Sequence, residues 1–212
     1  MLYPFLYAGG SGLDTLLEDV RRSTREKVED IVLLREAVLE QYAEDLAACA
    51  TRMAGAFRSG GRLFTFGNGG SSTDAQDVAA LFLNPGGSAR PLPALALTTD
   101  VAVVTALSND VGFEVVFARQ LAAFGRPGDI ALALSTSGNS DNLIAALREA
   151  ARRGMTVVGL AGYTGGQMAE TPGLHHLFTV PSSSVHRVQE AQTTIYHALW
   201  ELTQLELAGE AF

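Results

Sequence analysis

The sequence predicts an α/β protein: a doubly wound parallel sheet with helices on both faces and a helical extension at its N-terminus. Beyond Gly61, short and almost continuously apolar runs alternate with stretches of helical periodicity, the pattern of strands buried on both faces. From Leu13 to about Phe57, apolar and charged residues instead alternate at helical spacing. One unit, an apolar run followed by a Gly/Ser-rich turn and a helix, occurs twice.

Taken in order, residues 1–11 form a short apolar lead that runs into Gly9-Gly-Ser-Gly. Leu16, Leu17 and Val20 open a helical stripe that Val28, Ile31, Leu34, Val38 and Tyr42 continue. Two long helices broken near residues 30–37 are the simplest description, and Ser59-Gly-Gly-Arg ends the second. Leu63–Phe66, Ala94–Leu97, Ile130–Leu134, Thr156–Leu160 and His176–Val180 read as strands. Helices are expected at about Asp74–Leu83, Asp100–Leu107, Gly112–Ala123, Ser140–Arg153 and Val185–Leu207. The expected division is residues 1–34 as lead and helix, then one α/β domain over 35–212. The segment Asn84-Pro-Gly-Gly-Ser-Ala-Arg-Pro is either a pocket rim or a plain connection.

Composition removes several classes of function. A net charge of −8 over 212 residues speaks against direct, sequence-independent nucleic-acid binding, which draws on Lys and Arg to displace counterions. No apolar run approaches the roughly 18–20 residues that span a bilayer, and the N-terminus lacks the marks of a signal peptide; the expectation is a cytoplasmic protein with no membrane partner. Lys27 is the only lysine, which argues against Schiff-base chemistry. Cys49, the single cysteine, sits in Leu46-Ala-Ala-Cys-Ala and reads as a small packing residue.

The repeated unit is where chemistry is expected. Its first copy reads Leu63-Phe-Thr-Phe-Gly-Asn-Gly-Gly-Ser-Ser-Thr-Asp. Glycines there allow close approach of a ligand to the backbone, Ser71 is placed to cap the next helix with Asp74 in a capping-box position, and a helix start suits an anion. The second copy, Ile130-Ala-Leu-Ala-Leu-Ser-Thr-Ser-Gly-Asn-Ser, puts four hydroxyls into the six residues Ser135–Ser140, directly after a strand. Ser135, Thr136, Ser137 and Ser140 can surround a phosphate without any cation, at the strand end where open α/β sheets hold ligands. Each turn alone is equally well explained as a turn and helix cap; the matched pair favours binding. Neither is a nucleotide signature, because the third glycine of the dinucleotide fingerprint and the Gly-Lys-Ser/Thr of a P-loop are both missing.

Gly67-Asn-Gly-Gly-Ser, Ser108-Asn-Asp-Val-Gly-Phe, Leu134-Ser-Thr-Ser-Gly-Asn-Ser and Arg187-Val-Gln-Glu, in this order and spacing, resemble the SIS (sugar isomerase) family, most closely its phosphoheptose isomerase branch. The resemblance covers roughly residues 35–207. It implies a flavodoxin-like sheet, a homotetramer with sites between subunits, and a phosphorylated sugar as ligand. The implied phosphate and sugar contacts are Asn68, Gly69, Gly70, Ser71, Asn109, Asp110, Ser135, Thr136, Ser137, Ser140 and Gln189.

The reaction the resemblance implies, interconversion of sedoheptulose 7-phosphate and an aldoheptose 7-phosphate, moves a proton between adjacent carbons through an enediol and needs a base that returns it. His186, Glu190, Thr193 and His197 are spaced to share one face of the last helix. By spacing alone His197 reads as a core or interface histidine; the resemblance instead matches it to the catalytic, metal-binding histidine of the family and Gln189 to another ligand. The family's zinc histidine and its glutamate ligand and base correspond here to Asp77 and Leu81. Leucine does neither job. The expected metal set is therefore Asp77, Gln189 and His197 around zinc, with Asp77, Glu190 or His186 as the base. His175 and His176 read as a surface pair. The alternative to an isomerase is a non-catalytic SIS protein that senses sugar phosphate or bridges partner proteins, suggested by Leu81.

Overall fold

In the computed structural model, which describes residues 13–209, five parallel strands form one sheet in the order β2-β1-β3-β4-β5. They are β1 (Leu63–Gly67), β2 (Ala94–Ala96), β3 (Ile130–Leu134), β4 (Thr156–Gly162) and β5 (His176–Val180). This is the flavodoxin-like order, whose chain direction switches between β1 and β3. The N-terminal lead expected over residues 1–11 lies outside the described residues.

Alternation along the strands divides the core. Leu63, Ile130, Leu132, Leu134, Val158 and Leu160 face one layer, packed with α1 (Leu13–Arg58), α2 (Gly70–Leu83) and α7 (Val185–Ala208). Phe64, Phe66, Ala131, Ala133, Val157 and Ala161 face the other, under α4 (Val116–Phe124) and α5 (Asp141–Arg152). Both β1 and β3 are buried at every position, which is why they read as unbroken apolar runs. Cys49, 0% exposed, belongs to the first layer, and burial, with Asp45 nearby, pushes its thiol up to about 12; it is an inert packing group.

The expected break near residues 30–37 is absent. α1 is one helix of 46 residues, about 69 Å long at 1.5 Å per residue. Asp30–Ala37 contains neither glycine nor proline, so nothing interrupts the hydrogen-bond ladder; the irregular stripe marks instead where packing partners change. The 34/35 division falls inside this helix, and Ile31 and Leu34 already join the core. The expected helix at Gly112–Ala123 is a 3-10 turn, Phe113–Val115, followed by α4. The remaining helices are α3 (Val101–Asp110) and a one-turn α6 (Gly166–Ala169), the latter too short to leave a periodic signal.

Segment Asn84–Pro91 is a connection and packs away from the hydroxyl turns. Gln204 on α7 accepts from the Arg90 amide at 3.1 Å and donates to its carbonyl at 2.8 Å.

One buried charge fastens the lower edge of the sheet. Asp129, 3% exposed, accepts from the Arg62 amide at 2.8 Å, the Arg62 guanidinium at 2.7 Å and the Arg126 amide at 2.9 Å. Asp129→Ala strands those donors, and a loss of about 3 kcal/mol is expected in urea unfolding, with the sugar-phosphate affinity of the remaining folded protein unchanged.

Candidate anion site and its helix lip

The turns after β1 and β3 meet where strand order switches. Gly69 precedes α2 with φ 56°, a conformation that favours glycine. Backbone turning, and no side chain, therefore starts the helix. The expected Ser71 cap with Asp74 in a capping box is not formed: Gly69 is the N-cap without a side-chain bond, and Asp74 is engaged elsewhere. A Cβ on Gly67 would stand 2.4 Å from the Ser71 carbonyl oxygen, which explains the glycine that opens the turn.

Beneath the second turn, Ser135 Oγ accepts the amides of Ser137 at 3.3 Å and Gly138 at 2.9 Å, and Ser137 Oγ accepts that of Asn139 at 3.2 Å. Hydroxyls that accept amide protons keep their own O–H to give. The two turns are tied by a reciprocal amide pair, Asn68 Nδ2 to Asn142 Oδ1 at 2.8 Å and Asn142 Nδ2 to Asn68 Oδ1 at 2.9 Å. From below, fully buried Gln192 on α7 donates to the Ser135 carbonyl at 2.8 Å.

Together they enclose a cavity of ≈ 90 Å³ lined by Asn68, Ser71, Ser135, Thr136, Ser137 and Ser140, with Leu134 and Leu143 at its floor. The starts of α2 and α5 both open onto it, each with unpaired N–H groups and a partial positive charge. No lysine or arginine lines it. A cleft of ≈ 410 Å³ shares Asn68 and Ser140 with this cavity and adds Phe113, Glu114, Asn139, Asp141 and Asn142. Glu114 and Asp141 had not been expected; their only signal was adjacency, to the Ser108–Phe113 motif and to Ser140. Asn109 and Asp110, exposed at the end of α3 and joined at 2.7 Å, line neither space.

Gln189 forms the second part of the site. Its carboxamide lies so close to Gly70 that a Cβ there would be 2.6 Å from Nε2, and Nε2 donates to Asp74 Oδ2 at 2.7 Å. Burial raises the Asp74 carboxyl above its ordinary range, the Gln189 bond lowers it, and nearby Asp77 raises it again. Buried Tyr196 is raised mainly by burial, lowered by a hydrogen bond with Thr193, and raised by Asp74 and Asp77. Asp74 was missed as a site residue because its partner lies 115 positions away in sequence.

The expected catalytic face of α7 is split. Glu190 pairs with Arg187 at 2.7 Å and, with His186, opens into a cleft against Glu26, Lys27 and Asp30 of α1, apart from the hydroxyl cavity. Thr193 bonds back to the Gln189 carbonyl at 3.0 Å. His197 is exposed, its ring 5.2 Å from that of Tyr196, and Asp77 is exposed on α2. His175 and His176 are not a free surface pair. His176 Nδ1 bonds Asp45 at 2.7 Å. His175 Nδ1 accepts the Val157 amide at 3.0 Å, and its pKa is lowered chiefly by burial, then by Arg52 and His176.

The residues present do not fit the zinc centre that the resemblance implies. Catalytic zinc takes three His, Cys or carboxylate ligands. Leu81 is apolar and packs against the core, Asp77 stands in place of the implied histidine, and among the described residues no three His, Cys, Asp or Glu side chains are grouped to hold a metal ion.

A switch-point cavity walled by hydroxyls and two helix N-termini defines an anion-binding α/β protein of the kind that holds phosphorylated sugars. A SIS-domain model matches residues 28–162. Over 190 residues the chain is 42% identical to the phosphoheptose isomerase of Aquifex aeolicus, covering 89% of this chain and 96% of that one. The corresponding enzyme of Solidesulfovibrio magneticus is 44% identical over 186 residues, 87% of this chain and 90% of the relative. Among solved structures, the phosphoheptose isomerase of Francisella tularensis superposes with a TM-score of 0.78 at 32% identity, covering 89% and 98% of the two chains. That of Neisseria gonorrhoeae gives 0.76 at 35%, covering 88% and 97%. The chain belongs to the SIS-domain family, in its phosphoheptose isomerase branch.

Proposed function

We propose that this chain is an aldose–ketose isomerase that interconverts sedoheptulose 7-phosphate and an aldoheptose 7-phosphate through an enediol. The observation that carries the reading is the pairing of the turns after β1 and β3 around one hydroxyl-lined cavity, in a chain 42% identical to a phosphoheptose isomerase along nearly its whole length. The phosphate takes the cavity, receiving hydrogen bonds from Ser71, Thr136, Ser137, Ser140 and the first amides of α2 and α5. Asn68 braces both turns, Gly69 and Gly70 bring backbone close to the ligand, and Gln189 meets the sugar at the α2 side. The carboxylates of Glu114 and Asp141 accept bonds from sugar hydroxyls. His197 handles the oxygen-bound proton, since an imidazole has one ring nitrogen to donate and one to accept a proton.

The working unit in this proposal is a homotetramer in the cytoplasm, a compartment that keeps a lone thiol such as Cys49 reduced. Support for assembly comes from α1, where Leu17, Val20, Val28, Val32, Leu33 and Leu39 stand exposed. Among the described residues, Trp200 Nε1 and Thr203 Oγ1 on α7 are buried and find no hydrogen-bond partner. Asn109 and Asp110 reach a sugar only in such an assembly, from a neighbouring subunit. No helix of the described residues is long and apolar enough to cross a membrane.

Following sedoheptulose 7-phosphate by NMR tests the activity: an aldose signal is expected to grow in. Saturable binding without turnover would instead favour the sensing or bridging role that Leu81 suggests.

A further inference from the structure

The donors around α2 and α7 fail as a metal centre, yet the same place holds a carboxylate–carboxamide pair. We infer that this chain works without zinc and that Asp74, held by Gln189 at the lip of the first turn, is the base in place of the glutamate missing at Leu81. The inference rests on the isomerase reading above.

Position is the argument. Asp77 and Leu81 stand where the family pattern would put a histidine and a glutamate, so a resident zinc would have only one carboxylate, one imidazole and one neutral amide. Asp74 lies one turn before Asp77 on the same helix. It is half-buried, and its Oδ2 accepts the Gln189 amide at 2.7 Å, while that amide rests on the Gly70 backbone. The carboxylate is thereby fixed within one turn of Ser71, which lines the phosphate cavity. Of the other candidates for a base, Glu190 and His186 face α1 instead, and Asp77 stands exposed on α2 while the Gln189 amide bonds Asp74.

The step balances without an external oxidant. An Asp74 oxygen takes the proton from C1 of the ketose; the C–H electrons become the C1–C2 double bond, and the C2 carbonyl oxygen accepts a proton from His197, giving the enediol. The C1 hydroxyl then loses its proton to His197 as C1=O forms. The double-bond electrons take the proton from Asp74 at C2. C1 is oxidised, C2 is reduced, and both groups return to their starting state.

Zinc analysis of full-length protein purified from zinc-supplemented medium, combined with Asp74→Asn kinetics, tests this. The expected result is substoichiometric zinc, turnover unaffected by phenanthroline, and in Asp74→Asn a kcat lower by about 10²-fold or more. Asparagine can still accept from Gln189, so KM and the fold should be retained, while exchange of the C1 proton with deuterated solvent is lost in parallel. A merely structural Asp74 would raise KM or lower stability along with turnover and exchange. Stoichiometric zinc in the wild type, or Asp74→Asn with normal turnover, overturns the inference. A wild type that binds the sugar but neither turns it over nor exchanges its proton overturns the isomerase reading and the role of Asp74 with it, and the zinc content separates that failure from the presence of a metal centre.

Discussion

Gly138→Ala is expected to lose about 4 kcal/mol of stability and with it the anion site. Gly138 has φ +70°, and a Cβ there would sit 1.9 Å from the Gly165 carbonyl oxygen and 2.5 Å from its carbon. A left-handed conformation costs an alanine about 1–2 kcal/mol, and overpacking against backbone that cannot turn aside adds about 1–3 kcal/mol. The neighbourhood transmits the damage. The Gly138 amide is one of the two that Ser135 Oγ gathers, and the Gly138 carbonyl accepts the Met168 amide at 2.9 Å. Moving this residue therefore shifts Ser135 and Ser137 together. Urea unfolding and ligand titration of the same preparation separate the two losses: protein still folded at low denaturant should already have lost affinity for sugar phosphate.

Ser137→Ala combined with Ser140→Ala should leave the fold nearly intact but weaken sugar-phosphate binding by about 10²-fold or more, since each hydrogen bond to a charged oxygen contributes about 1.5–3 kcal/mol. The turn itself is expected to survive. Ser135, which gathers the amides of the turn, is untouched, and Ser140 makes no side-chain cap to α5. Affinity for an unphosphorylated heptose, weak to begin with, should not change. The contrast is a property of an alcohol-and-amide site: without a lysine or arginine on the wall, no remaining side chain compensates for lost hydroxyls.

The central strands β1 and β3 were legible because they are buried at every position and bounded by turn residues. The edge strands β2 and β5, which are only partly buried, were legible because their apolar runs are short and flanked by turns, and the two Gly/Ser turns because hydroxyls directly after a buried strand have few other uses. What escaped was tertiary. The continuity of α1 follows from an absence of breakers, which the changing apolar stripe concealed. The start of α2 is set by the positive φ of Gly69, so Ser71, a good cap by sequence, turns toward the cavity instead. The separation of Glu190 and His186 from the turns depends on where α1 crosses α7, a contact between segments more than 150 residues apart, as in the 2.9 Å bond from Arg187 to the Lys27 carbonyl. The Asp74–Gln189 pair has no local signal at all.

Leu81 is the sharpest departure from the family pattern, and its packing accounts for it: it lies against the α1–α2–α7 core, where a carboxylate without a metal would be buried at a cost. Replacing a family metal ligand and gaining an apolar contact are thus one change seen from two sides.

Calorimetric titration of the wild-type chain with sedoheptulose 7-phosphate and, in parallel, with sedoheptulose most directly tests whether hydroxyls and main-chain amides hold the phosphate. Saturable binding of the phosphorylated sugar at one site per chain, with little or none of the free sugar, is the expected outcome. Equal affinity for both sugars, or no binding of either, would contradict it.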